Sequence, residues 1–343
     1  MRKFSLLMTI VLASIAAIAQ DPSLAKKLPD DSTHKQGWRR GAFFSLGIGQ
    51  GSSSNWAAGA QTFSLSIASA ANMFSNYKKG KFNWKNSLDL AYAFVHTTDD
   101  GTRKTDDKID LYSKATHDIS SRWSLGVVGN FRTQFTAGFD YDYLEKELHR
   151  RTSDFMAPGI LVLAPGFDWR PSEYFSIFLS PVSLRLIMVT NDPKSYYFPN
   201  GAIPDSLGAD DEFETPLSVL YGVDPADKLR TEMGGYASIN FSKDIAKNIA
   251  LKSKLDLFSN YLNEYRFDVT GPDQLVVTKD SPSPEKVDIF WTNTLMMKVN
   301  EYLNVSFGWD VIYDDDVRQF GADDKSAATQ FKSQLTVGFS RKF

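Results

Sequence analysis

Cysteine is absent from this chain. Its absence excludes a disulfide framework, a thiolate metal site and a lipid-modified N-terminal cysteine. Histidine occurs only 4 times in 343 residues, so histidine chemistry would rest on His34, His96, His117 and His149. Charge of one sign is also lacking. The formal net charge is −3, which gives no reason to propose a nucleic-acid partner. Beyond the first twenty positions, no run is apolar and long enough for a spanning helix, which needs about 20 residues.

What is abundant is aromatic. Phe alone occurs 25 times and aromatic residues make up 13% of the chain, yet the mean hydropathy is −0.29. Apolar side chains shown to lipid on alternate residues, with polar ones between them, average out this way. The chain begins Met1-Arg2-Lys3, continues with an apolar run from Phe4 to Ile18, and reaches a small-x-small site at Ala17–Ala19. A basic start, a short apolar stretch and such a site predict a signal peptide over 1–19, with the mature chain starting at Gln20. Residues 20–40 read as a charged periplasmic tail.

From Gly41 the dominant period is two, which is the strand signal. Phe82, Trp84, Leu88, Leu90, Tyr92 and Phe94 alternate with Asn83, Lys85, Ser87, Asp89, Ala91 and Ala93. Trp123, Leu125, Val127 and Phe131 alternate with Ser124, Gly126, Asn130 and Arg132. About twelve such segments are expected, near 41–50, 60–75, 82–97, 107–118, 123–137, 155–169, 174–190, 230–242, 249–263, 287–299, 303–314 and 328–343. Short connections (76–81, 119–122, 170–173, 243–248, 300–302) take turns with long ones (98–106, 138–154, 191–229, 264–286, 315–327). Short turns on one side and long loops on the other predict an all-β fold, a transmembrane antiparallel up-and-down barrel over 41–343. A soluble sandwich also alternates, but seldom needs a dozen strands this long or so regular an alternation of loops. Trp123, Tyr174 and Tyr302 fall at the short turns, where an aromatic girdle would meet headgroups.

The expected location is the outer membrane of a Gram-negative bacterium. The expected partners are its lipid and lipopolysaccharide, together with the barrel-assembly machinery. The terminal Phe343 shares parity with Phe331, Leu335, Val337 and Phe339 and resembles the assembly signal that this machinery recognises.

Candidates for chemistry are few. Gly47-Ile48-Gly49-Gln50-Gly51 is followed by a strand rather than the helix a phosphate loop requires. His96 has outward parity near the outer rim, but no serine and asparagine follow it as in an outer-membrane phospholipase. Clusters at Asp99, Asp100, Asp106 and Asp107, at Asp210, Asp211 and Glu212, and at Asp314–Asp316 offer hard oxygen ligands without the spacing of a known calcium loop. No catalytic residue, metal ligand or cofactor is assigned. Parity directs Lys85, Lys108, Lys114, Arg132, Arg185, Lys252, Lys254 and Lys332 into the lumen, with Asp89, Asp110, Asp118, Asp256 and Asp310. These are the candidate lumen-lining residues, and their basic excess would favour anions. The expected function is therefore a narrow channel or transporter for small, anionic solutes. The alternatives are a structural barrel whose outer loops bind a partner or lipid, and a lipid-acting enzyme.

The phrases Gly37-Trp38…Gly41, Ser54-Asn55-Trp56-Ala57-Ala58-Gly59, Arg103–Lys108, Leu251–Tyr261 and Val311–Asp316 resemble an uncharacterised family of Bacteroidetes envelope proteins, known as a domain of unknown function, DUF3078. The resemblance implies an envelope location and a barrel fold. It brings no activity and no site residue.

Overall fold

The computed structural model describes residues 36–52, 63–144, 148–190, 196–207, 213–271, 274–283, 286–300, 303–320 and 326–342. The expected signal peptide, most of the tail, Tyr302 and Phe343 lie outside these residues. In chain order the strands are β1 (Gly37–Ser52), β2 (Phe63–Lys79), β3 (Phe82–Thr97), β4 (Gly101–Asp118), β5 (Trp123–Thr133), β6 (Gly138–Tyr143), β7 (Leu148–Ser153), β8 (Gly159–Ser172) and β9 (Phe175–Met188). They continue with β10 (Leu229–Ala246), β11 (Ile249–Asn260), β12 (Glu264–Gly271), β13 (Gln274–Asp280), β14 (Asp288–Lys298), β15 (Leu303–Tyr313), β16 (Arg318–Phe320), β17 (Ser326–Ala327) and β18 (Gln330–Lys342).

Twelve of these close into one antiparallel barrel, in the order β1-β18-β15-β14-β11-β10-β9-β8-β5-β4-β3-β2. Each strand pairs with its sequence neighbour in the barrel, and β1 pairs with β18 to close the ring. Closure removes the open edges that an isolated sheet would leave in lipid. The alternation read from the sequence places Leu125, Val127, Leu163, Phe167, Leu179, Trp291, Leu335 and Val337 on the exposed outer wall. Val128, Ala164, Phe178 and Ser238, at the opposite parity, are buried inside. The fold is a transmembrane up-and-down barrel of twelve strands.

Aromatic side chains gather at the short-turn end. Trp38 lies 5.0 Å from Tyr77 and 5.8 Å from Trp84 between ring centroids, and Trp123 lies 6.1 Å from Trp169. Amphipathic rings at this level suit the headgroup boundary.

Four details depart from the sequence reading. β1 already includes Gly37–Arg40, residues expected in the tail. The connection expected at 98–106 is a tight turn, because β4 begins at Gly101 and stays paired with β3. The ladder tolerates this with a bulge: Ala93 faces Asp106 and Phe94 faces Lys104, which leaves Thr105 without a partner. The long outer connections are not bare loops, because β6–β7, β12–β13 and β16–β17 form separate two-stranded sheets beyond the barrel.

The fourth departure is a parity change in β9. Leu184 pairs with Leu163, but Leu179 pairs with Phe167, so the register shifts across Pro181 and Val182. Proline offers no N–H to the ladder, and such an interruption is where a bulge forms. Ser180 and Ser183 then both point inward. The Ser180 hydroxyl reaches the Pro165 carbonyl at 2.6 Å, and Ser183 donates to the Gly234 carbonyl at 2.8 Å. Gly234 itself must lack a side chain, since a Cβ there would collide with the Ser259 carbonyl. Beyond the bulge Arg185 and Ile187 point inward and Leu184 and Leu186 outward, whereas before it Phe178 pointed inward and Leu179 outward.

The outward parity is testable. Leu255→Lys or Val127→Lys places a charge against hydrocarbon and should cost about 2–4 kcal/mol. Ala91→Glu, inside and opposite Lys108, should cost far less in urea unfolding from lipid vesicles. Asn130 is no suitable control, because it is buried and donates to Asp110.

Candidate functional site

The chemistry-bearing residues concentrate in the lumen, in three levels from the short-turn end to the long-loop end. The first level is a vestibule of about 470 Å³. Lys85 and Asp89 of β3, Lys108 and Asp110 of β4, Lys252 and Lys254 of β11, and Asp310 of β15 line it, with Arg39 of β1. Asn72 donates to Asp89. Lys332 of β18 pairs with Asp310 at 3.5 Å and, across the lumen, with Asp106 of β4 at 2.7 Å.

At mid-height the lumen is crossed by a second bridge. Arg132 of β5 pairs with Asp110 on the neighbouring strand at 3.3 Å and with Asp256 of β11 on the far side. Asp256 also accepts hydrogen bonds from the Tyr236 hydroxyl at 3.0 Å and the Ser238 hydroxyl at 2.7 Å, and Lys254 pairs with it at 3.0 Å. Each acceptor site of this buried carboxylate is therefore used, as a buried charge requires. Around the bridge pack Val128, Val162, Ala164, Phe178, Tyr236 and Phe258. A cavity of about 20 Å³ is left between Arg132, Arg185 and Tyr236, room for about one water. Lys114, buried beside this core, pairs with Asp168 at 2.9 Å, and Arg170 links Asp168 to Asp118.

The third level is centred on Arg185. It is 2% exposed and pairs with Glu232, with Asp288 at 2.5 Å, and with Asp314 and Asp316 at 3.7 Å each. The guanidinium stacks 4.3 Å from the Phe258 ring centroid. Arg230 completes the group through Glu232 and, at 2.6 Å, Asp316. Carboxylates outnumber cations here. Burial, and next the Asp288 carboxylate, push the Asp314 carboxyl well above its ordinary range. Burial acts the same way on Asp316, but Arg230 overrides it and pulls that carboxyl down.

Above this level residues 213–228 fold inward. Leu217, Leu220 and Val223 pack on Ala157, Ile187 and Val189, and the Tyr221 hydroxyl donates to the Thr152 carbonyl at 2.6 Å. Gly222, at φ +65°, lies against Arg230 and Asp316 so closely that a Cβ would strike the guanidinium. Glu214 is buried and accepts the Phe198 N–H at 2.6 Å. Residues 217–223 thus pack over the Arg185 level.

The acidic clusters of the sequence separate here. Asp100 pairs with Arg103, Asp107 with Lys104, and Asp106 with Lys332, while Asp210–Glu212 lie outside the described residues. Asp288, Asp314 and Asp315 bring carboxylate oxygens within 4.8 Å of one another, with Arg185 supplying counter-charge to the first two. His96 sits 2.8 Å from the Thr102 hydroxyl, and His117 lies at the opposite end of β4, paired with Phe82. The two histidines do not meet.

Sequence reasoning missed Asp168, Arg170, Arg230, Glu232 and Asp288, although each shares parity with inward residues of its own strand. It also left Asp106 and Asp314–Asp316 outside the lumen, in the long outer connections or at a strand end. With these acids counted, the interior as a whole carries no basic excess. The excess is confined to the vestibule, and the outer level is acidic.

Residues 48–139 match the family described as Protein of unknown function (DUF3078). The matched segment runs from β1 through β6 and includes the β4 bulge and both Asp106 and Arg132. No curated protein matches the chain. Among solved structures, an outer membrane channel from Pseudomonas putida F1 is similar at 9% identity and TM-score 0.38, over 93% of this chain and 100% of that one. The NanC porin is similar at 8% identity and TM-score 0.39, over 87% of this chain and 98% of that one. The translocator domain of the autotransporter NalP from Neisseria meningitidis is similar at 10% identity and TM-score 0.34, over 100% and 98%. Likeness of this degree says nothing about a solute.

The Arg185 level makes a stability prediction. Arg185→Met leaves the buried Asp288 without a cation and Glu232 with Arg230 alone, and should cost about 3–5 kcal/mol. Replacing Glu232 and Asp288 by apolar residues in the same chain should recover much of that loss. Urea unfolding of the single and triple variants in lipid vesicles measures both.

Proposed function

We propose that the protein is an outer-membrane channel for small solutes, held closed by the Arg185 level and the inward-folded residues 213–228. The observation that carries this reading is the half-filled lumen. A barrel serving only as a scaffold gains nothing from a polar vestibule of about 470 Å³ left unfilled beneath a mid-lumen bridge. Both closing elements are separable from the barrel wall: ion pairs, which rearrange, and a connecting segment, which moves without breaking the ladder. Twelve strands lie between the side-chain-filled eight-stranded barrel and the open pores of sixteen or more, so a reversible plug is compatible with this size. The cross-lumen pairs Arg132–Asp256 and Lys332–Asp106 favour a second reading, a structural barrel whose interior is permanently braced.

Planar-bilayer recordings separate the two. The intact protein should give small, intermittent currents, and deletion of residues 199–222 should raise unitary conductance several-fold. No current from either form would leave the structural barrel. Reversal potentials of the deleted form across a salt gradient should show anion preference, set by the basic vestibule and reduced by Lys252→Gln. Arg132 is unsuited to this test, because its removal takes the salt-bridge partner from Asp110 and breaks the mid-lumen bridge to Asp256.

Closure should also depend on pH. Burial holds the Glu214 carboxyl above its ordinary value, against the Phe198 and Tyr197 N–H groups and Arg150, which lower it. The closed segment therefore binds this proton more tightly than the released one. Closure strengthens as pH falls through the raised value and weakens as pH rises through it. Acidification should lower the open probability, and Glu214→Gln should hold it low and flatten part of the pH dependence.

A further inference from the structure

We infer that the vestibule is a binding site for a monosaccharide-sized acid, with one carboxylate or phosphate on a hydroxylated ring. This rests on the channel reading for its biological role, though not for its chemistry.

The three carboxylates of the vestibule are already engaged. Asp89 takes the Asn72 amide, Asp110 takes Asn130 and Arg132, and Asp310 takes Lys332. Three cations that line the same cavity are not engaged in this way. Neither Lys108 nor Lys252 makes a hydrogen bond or salt bridge to a described residue. Arg39 keeps one guanidinium nitrogen, Nη2, buried and without a hydrogen-bond partner, its plane lying 5.9 Å over the Phe74 ring. A buried donor without a partner is costly. Arg39, Lys108 and Lys252 come from β1, β4 and β11, so positive charge converges from separate parts of the wall. An oxyanion held among them would satisfy the Arg39 donor and neutralise the local excess, through charge-assisted hydrogen bonds.

The rest of the lining sets the body of the ligand. Ser87, Ser242 and Thr294 present hydroxyls, and the inward-facing Phe74 and Tyr112 present aromatic rings. Hydroxyls pair with hydroxyls, and aromatic faces cover the apolar side of a sugar ring. A volume of about 470 Å³ falls in the range of small-ligand pockets, about 300–1,000 Å³.

Calorimetric titration of the full chain in detergent micelles tests this, with glucuronate, glucose 6-phosphate, inorganic phosphate and glucose as probes. The two sugar acids should bind, inorganic phosphate should bind at least about tenfold more weakly, and glucose should give no signal. Lys108→Gln, Lys252→Gln and Arg39→Gln should each weaken glucuronate about tenfold, the loss of one charge-assisted hydrogen bond. Arg39→Lys should retain most of the affinity, and added salt should weaken binding of the unaltered protein. Equal migration of unheated samples on gels verifies that each variant is folded, and the salt titration needs no variant. Glucose binding as well as glucuronate, no binding of either acid, or unchanged affinity in all three glutamine variants would overturn the site. Inorganic phosphate binding as tightly as the sugar acids would overturn the ring-bearing ligand. Binding without conductance would sink the channel and leave the site, whereas conductance without binding would do the reverse.

Discussion

A closed ring of twelve strands encloses a space wider than one layer of ordinary side chains can fill, yet narrow enough that inward charges on opposite walls can meet. Long basic side chains resolve this by reaching across. Arg132 extends from β5 to Asp256 on β11, and Lys332 from β18 to Asp106 on β4. Around the Arg132 strut side chains pack closely, and each buried charge there must find its partner. The apolar group of Val128, Phe178, Tyr236 and Phe258 fills what the struts leave open. The vestibule is the part that this apolar group does not fill.

That arrangement makes the interior polarised along its axis. Acids dominate near the outer mouth, around Arg185, and unsatisfied cations collect near the short turns. The wall is otherwise uniform, so the gradient comes from where Asp288 and Asp314–Asp316 fall at the ends of β14 and β15. An anion approaching from the short-turn side meets attraction first, then the Arg132–Asp256 bridge, then repulsion.

The barrel was legible because lipid on one face and polar groups on the other impose a period of two over whole strands. The positions of Leu125, Val127, Asn130 and Arg132 follow from that period alone. So does the number of barrel strands, since each must be long enough to cross. The lumen was less legible for two reasons. Parity assigns a face but not a partner, so the pairing of Arg132 with a residue 124 positions later leaves no trace in local pattern. The Pro181–Val182 bulge also breaks the period within a strand, and the proline there was its only written sign. The inward fold of residues 213–228 was not readable either. Leu217, Leu220 and Val223 have no repeat to declare which apolar surface they will cover.

The bridge from Lys332 to Asp106 joins positions 226 apart in sequence, between the fourth strand and the last. Until β18 is in place, Asp106 has no such partner across the lumen and the ring is open between β1 and β15. The Arg132–Asp256 brace needs only β5 and β11, whereas the Lys332–Asp106 brace waits for the last strand. The final brace and the closure of the ring therefore come together, so a chain stopped one strand short is an open trough rather than a slightly smaller barrel.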